Sequence, residues 1–413
     1  MKKFLSVFLA CILVLGLSLT AVSAEDVTTI KLWHRWSGDV ESKLTTIISQ
    51  FEAENPGIKV EVTAQAGEYF ALLQKMIADL AAGIAPPDLF LGGYNLFNYI
   101  YHELDPNELK DLAPNEEAWQ ALVDRYEPNL FDLGKAEGVQ ISAPFALSNI
   151  VMYYNKDIFT QAGLSDADIP KTWDDLVKVS EVIKEKTGKY AFGMQKVDSW
   201  PDLALIYSNG GTMLSEDGKK VAFNNEQAVE AISLWQSLHQ SGYAAVNTDG
   251  ELMADFIAGN VAMYISSVMK LNAIRTSSNF ELGVAEYPSF GDKPRKLPAG
   301  GAAFISFTDL NDAAKKDAVW KFIEYATNDE SMKIFTQTGY VCVTKADVAV
   351  AEGQQPAYNQ LAYAVPWTNW PGGSAGLEID QIYINKRTDI IHGDLDPAAT
   401  LDALVEQCNA LLD

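Results

Sequence analysis

Apolar positions along the chain follow two alternating periods. A period of two marks Thr28–Leu32 and then Ile58, Val60 and Val62, whereas Leu44, Ile47, Ile48 and Phe51 stand at helical spacing between them. Asn55-Pro56-Gly57 forces a turn after that helix, and Tyr69–Ala82 reads as a second helix ended by Gly83. A short apolar strand at 88–91 precedes Gly92-Gly93. Strand, helix and strand in this order predict a doubly wound α/β lobe.

The stretch 138–163 turns the chain toward a second half. Val139 and Ile141 alternate with polar neighbours until Pro144, whose missing N–H predicts the end of a strand. Ile150–Tyr154 is an apolar, aromatic run suited to a strand buried on both faces. Asn155 or Asp157 can cap a short helix containing Ile158 and Phe159, closed by Gly163. Two strands meeting across 144–149 predict a hinge. Beyond it, helices are predicted over Trp173–Glu185 with Thr172 as cap, Val229–Leu238, Leu252–Gly259 and Ala313–Ala326, with a last helix from Pro397. Gly300–Phe307 reads as a strand.

Composition narrows the class. Lys2-Lys3, an uncharged apolar run over Phe4–Leu19 and Val22-Ser23-Ala24 predict a secretory signal peptide, 1–24, cleaved after Ala24. The run is short for a membrane span, and Cys11 lacks a Leu-led lipidation context. The remaining 389 of 413 residues carry 29 basic against 55 acidic side chains, a net charge of −26 that repels nucleic acid and anionic headgroups. Cys342 and Cys408 alone make no disulfide framework and are expected to be buried and inert.

The segments Trp33-His34, Phe51–Val60, Tyr153-Tyr154-Asn155-Lys156-Asp157, Pro170–Leu176, Phe256–Tyr264, Gly300–Phe304 and Thr338–Thr344 occur in an order that resembles the extracellular solute-binding proteins of ABC importers. The resemblance is to the maltose-binding and glycerol-phosphate-binding kind. It implies an α/β, two-lobed periplasmic-binding-protein type II fold, each lobe a doubly wound sheet flanked by helices. The implied first lobe takes 25–143 and 299–345, the second 147–293 and 352–413, with hinges near 144–149, 286–298 and 343–352. The implied role is an exported monomer, periplasmic or extracytoplasmic at the cell surface, that captures a small-molecule carbohydrate, a sugar or oligosaccharide, and delivers it to permease subunits.

Catalysis finds little support. His34, His102, His239 and His392 lie in unrelated contexts, and no H-E-x-x-H, G-x-S-x-G, C-x-x-C or P-loop pattern is present. No cofactor or metal is expected. Carboxylates are plentiful, so a secreted glycoside hydrolase stays as the rival from another class. Trp33, Trp36, Trp200, Trp367 and Trp370 neighbour Gly, Pro, Ser or Asn and are expected in loops, where flat rings can stack on sugar. Trp119, Trp173, Trp235 and Trp320 fit helical packing instead.

The resemblance further implies ligand contacts at the loops after strands and at the crossovers. In the first lobe these are Trp36, Ser37, Tyr69, Tyr94 and Asn95; at the crossover, Ser148; and elsewhere Trp200, Ser267, Gly301, Tyr340 and Trp370. Tyr383 is a further aromatic candidate. Relatives that bind glycerol phosphate carry an Arg after the late Trp/Pro/Gly loop, whereas Gly373–Glu378 has none. Glu378 and Asp380 there accept hydroxyl donors, which favours a neutral sugar over glycerol 3-phosphate or a glycerophosphodiester.

Overall fold

The computed structural model describes residues 27–413; the predicted leader and Cys11 lie outside them. Strands β1 (Thr28–His34), β2 (Ile58–Ala64) and β3 (Leu89–Gly93) run parallel, with β1 between the other two. Helices α1 (Gly38–Glu54) and α2 (Tyr69–Ala81) connect them, α1 burying the expected stripe Leu44, Ile47, Ile48 and Phe51. Strand β4 (Ser142–Ser148) belongs to the same sheet, and β5 (Ile150–Asn155) starts the next.

The second sheet adds β6 (Tyr190–Gly193), β7 (Ala244–Ala245), β8 (Val261–Ser267) and β9 (Leu282–Glu286), in the order β9-β5-β8-β6-β7. Its helices include α3 (Trp173–Thr187), α4 (Trp200–Ser208), α5 (Glu226–Gln240) and α6 (Asp249–Ile257). Thr172 and Asp175 form a reciprocal capping box at the start of α3, each satisfying a backbone N–H that the first helical turn leaves open. The chain then returns: β10 (Gly300–Ser306) inserts antiparallel between β3 and β4, completing the order β2-β1-β3-β10-β4. Helix α7 (Ala313–Ala326) covers the first sheet, while α8 (Ser374–His392) and α9 (Pro397–Asn409) pack on the second. The architecture is mixed α/β and two-lobed.

Three expectations need correction. Pro144 does not end a strand: β4 runs through it, because β4 is the sheet edge and the register shifts between Ala302 and Ala303, where Ala146 and Pro144 are the successive partners. An edge bulge is a place where a missing N–H costs no ladder bond. Leu147 and Ser148, assigned above to the second lobe, consequently pair with Gly301 and Gly300 in the first sheet. Trp33 lies within β1 rather than in a loop.

The transfer between sheets therefore takes one residue, Asn149. Its side-chain amide donates to the Ala357 carbonyl at 2.7 Å, and its own carbonyl accepts Val268 N–H at 3.0 Å. The chain crosses between the sheets again from Glu286 to Gly300, and once more after Thr344, which bridges Tyr126.

Gly301 is fixed by two constraints. Its φ is +112°, and a Cβ there would sit 2.1 Å from the Ala146 carbonyl oxygen. Left-handed strain alone is worth about 1–3 kcal/mol, and the backbone clash adds to it. Gly301→Ala is therefore expected to lower stability by at least about 2 kcal/mol, read as a fall in the denaturant midpoint at unchanged slope. An unshifted midpoint would show that β4 and β10 can separate without loss.

Candidate functional site

A cavity of about 530 Å³ opens between the lobes. On the first lobe it is lined by residues that follow the carboxyl ends of β1, β2 and β3, namely Arg35, Tyr69, Tyr94 and Asn95. Ligand sites of open α/β sheets lie at such strand ends, where loops diverge. The second lobe contributes the loop before α4, the end of β8 and the first turns of α8. Ser148 and Gly301 line the cavity from the crossover itself.

Nine of the expected contact residues thus share one cavity: Tyr69, Tyr94, Asn95, Ser148, Trp200, Ser267, Gly301, Tyr340 and Trp370. The other four do not line it. Trp36 packs behind it, its ring 5.4 Å from Phe335 and 6.1 Å from Tyr340, so its place is to back Tyr340. Ser37 is an exposed residue before α1. Glu378 points to solvent, and Tyr383 is fully buried in the core against Phe223. Both follow from the helical conformation of 374–392: Leu377, Asp380, Gln381 and Ile384 form the face toward the cavity, whereas Glu378 is turned about 100° off Leu377.

Three tryptophans shape the second-lobe wall. Trp200 opens α4; its ring stacks on Trp367 at 6.0 Å and 19°, and its indole N–H donates to the Pro298 carbonyl at 2.7 Å. Trp370 donates its indole N–H to Asp380 Oδ1 at 2.8 Å, and Ser199 Oγ donates to the same oxygen at 3.0 Å. Trp200 is therefore held by face and edge and Trp370 by its edge, while Trp367 and Trp370 lie in the loop expected for them.

Sequence reasoning missed most of the charged lining. Asp198 accepts the Gln195 side-chain amide and, at 2.9 Å, the Trp200 backbone N–H. Burial pushes its carboxyl up to about 6, with Asp202 and Asp249 adding repulsion. Asp202 is likewise pushed up to about 6 by burial, although the Arg387 guanidinium 3.4 Å away pulls the other way; both side chains are wholly enclosed. Arg387 also donates to the Asp198 carbonyl at 2.8 Å, tying α8 to the loop that carries Asp198. Burial raises Asp380 as well.

Lys270 pairs with Asp249, whose Oδ1 in turn accepts Tyr264 OH and Ser266 Oγ. Arg35 lies 4.6 Å over the Tyr69 ring and 3.5 Å from Glu68. The only signal that could have found Asp198 was its place two residues before Trp200. Among the described residues, no group of three or more His, Cys, Asp or Glu side chains could hold a metal ion.

Two α/β lobes joined by short crossings, with a polar and aromatic cavity between them, define a two-lobed solute-binding protein. Residues 37–333 match the profile of the bacterial extracellular solute-binding proteins, and the chain belongs to that family. The sn-glycerol-3-phosphate-binding periplasmic protein UgpB of Escherichia coli strain K12 is 27% identical over 438 residues, spanning 98% of this chain and 97% of its own. Among solved structures, the cyclic alpha-maltosyl-1,6-maltose binding protein of Arthrobacter globiformis superposes with a TM-score of 0.80 at 22% identity, covering 94% of this chain and 99% of that one. UgpB of Mycobacterium tuberculosis in complex with glycerophosphocholine gives 0.77 at 24%, covering 93% and 98%. No described helix is long and apolar enough to cross a membrane.

The raised Asp198 carboxyl has a signed consequence. Its folded value of about 6 exceeds the ordinary 3.8, so the folded state holds the proton more tightly, and the group's contribution to stability falls as pH rises from about 4 to 6. Asp198→Asn removes this titration. The melting-temperature difference, variant minus native, should therefore grow in the variant's favour between pH 4 and 6 and level off above; a flat difference would show that Asp198 is well solvated.

Proposed function

We propose that this chain is the exported substrate-binding component of an ABC importer and that it captures a carbohydrate in the cleft between its lobes. The observation that carries the reading is the cavity's lining: the rings of Trp200, Trp367 and Trp370 beside Asn95, Ser148, Gln195, Asp198 and Asp380. A sugar ring presents an apolar CH face to aromatic carbon and hydroxyl donors to carboxylates and amides, so it uses both halves of this lining. The loaded protein, a monomer directed out of the cell by residues 1–24, then meets the permease subunits, where ATP is hydrolysed by another subunit.

Glycerol 3-phosphate is the alternative ligand that the curated relatives bring forward. A thermal-shift panel of mono- and oligosaccharides, sn-glycerol 3-phosphate and glycerophosphocholine separates the two, because a ligand that binds the native state selectively raises the melting temperature by mass action. A shift with the phosphate esters alone overturns the carbohydrate reading. Release of shortened sugars on prolonged incubation would overturn the binding-only role in favour of a hydrolase.

Trp200→Ala is expected to weaken sugar binding by about 1–3 kcal/mol while the purified variant remains folded, through lost apolar contact. Titration calorimetry with an unchanged Kd would remove Trp200 from the ligand platform and leave Trp370, Tyr69 and Tyr340 as candidates.

Closure should depend on ligand, because a sugar touching both lobes binds the closed arrangement better and shifts the population toward it. The hinges we assign are Asn149, the return between Glu286 and Gly300 and the third crossing after Thr344. Small-angle scattering of the mature monomer should give a smaller radius of gyration at saturating sugar. An unchanged radius with binding confirmed independently would rule out hinge closure.

A further inference from the structure

The cleft contains two cations and four carboxylates: Arg35 and Lys270 against Glu68, Asp198, Asp249 and Asp380. Both cations are already matched. The Lys270 ammonium is paired with Asp249 Oδ2, and both side chains are largely enclosed. Asp249 cannot easily swing away, since it is the first residue of α6 and its other oxygen accepts the hydroxyls of Tyr264 and, at 3.0 Å, Ser266. On the opposite wall, the Arg35 guanidinium donates to the Gly67 carbonyl, stands 3.5 Å from Glu68 and lies over the Tyr69 ring. Among the described residues, Asp198 and Asp380 accept hydrogen bonds from neutral donors alone.

We infer that Asp249, supported by Glu68, is a specificity-determining residue that masks the cleft's cations and so makes the site discriminate against anionic ligands. The inference rests on the carbohydrate reading above and gives it a charge class. An ammonium has three N–H donors, and one carboxylate occupies only part of that capacity while cancelling the charge seen from the cavity. Lys270 therefore keeps donors for sugar hydroxyls. An approaching phosphate meets no net attraction from the pair, and it meets the repulsion of Asp198 and Asp380 at short range in a partly dehydrated space, where screening by salt is weak. Recognition of a phosphate ester would instead need an uncompensated cation able to contact its oxygens directly.

The test is Asp249→Asn, which keeps an acceptor for Ser266 and Tyr264 while releasing the Lys270 charge. Inorganic phosphate and sn-glycerol 3-phosphate are titrated into the native protein, the variant and the double variant Asp249→Asn/Lys270→Gln. The expected result is binding at least tenfold tighter in Asp249→Asn than in the native protein, a gain that disappears in the double variant. Equal phosphate affinity in native and Asp249→Asn proteins overturns the masking role, as does a gain that survives Lys270→Gln. If circular dichroism shows Asp249→Asn to be unfolded, Glu68→Gln, at an exposed side chain, makes the same test through Arg35 and overturns the inference if phosphate affinity does not rise. The phosphate comparison reads masking whether or not a sugar ligand has been found, so failure of the carbohydrate reading leaves a distinct signature: no sugar shift, but a phosphate gain.

Discussion

The two sheets are one residue apart in the chain. Because β4 ends at Ser148 and β5 begins at Ile150, Asn149 admits little translation of one sheet past the other, and it is itself held by Val268 N–H and the Ala357 carbonyl. Gln360 adds a bond from its amide to the Ile150 carbonyl at 3.1 Å, so the third crossing is fastened to the first. The middle of the cavity wall is placed from this point: Ser148 before it, Gly300 and Gly301 beside it in β10, and the end of β8 through Ser267. Rotation about the crossings is the motion that this constraint leaves open.

Around that fixed point the second-lobe wall is built by mutual support. The Trp370 indole and the Ser199 hydroxyl hold Asp380, the Trp200 backbone holds Asp198, and Arg387 reaches from α8 to the Asp198 carbonyl while neutralising Asp202 behind it. Burying Asp202 with Arg387 is a weak source of stability, because desolvation offsets most of the attraction. Its effect is positional: α8 and the loop before α4 cannot shift independently, which fixes the distance between the aromatic rings and the two carboxylates that face the cavity.

Much of the fold was legible in hydrophobic period and turn chemistry. The stripe of α1, the cap at Thr172, the bounds Ala313–Ala326 of α7 and the start of α9 follow from local residues alone, since propensity, burial and capping agree there. Pro144 misled because its effect depends on whether the strand lies at a sheet edge, which is a tertiary property. Helix α8 was hidden because Gly373-Ser374-Ala375-Gly376 reads as loop and because a charged residue, Arg387, sits in its buried stripe. That omission moved Glu378 and Tyr383 into the site and left Gln381 out. The charged lining was invisible for a related reason: Arg35, Asp198, Asp249 and Lys270 are ordinary surface residue types, and only the meeting of two lobes makes them neighbours.

The order of segments in the two sheets carries a consequence for how the chain acquires its structure. The second sheet is drawn entirely from 150–286, whereas the first joins 28–93 and 142–148 to a strand at 300–306. The partners Leu89 and Ser306 are separated by more than 200 residues, and bringing such distant positions together carries a loop-closure cost that rises with the intervening length. A second lobe that folds first would shorten the effective length of that loop. The topology therefore favours an inverted order of assembly, in which the lobe begun first by the chain is completed last and the cleft comes into existence only when β10 docks.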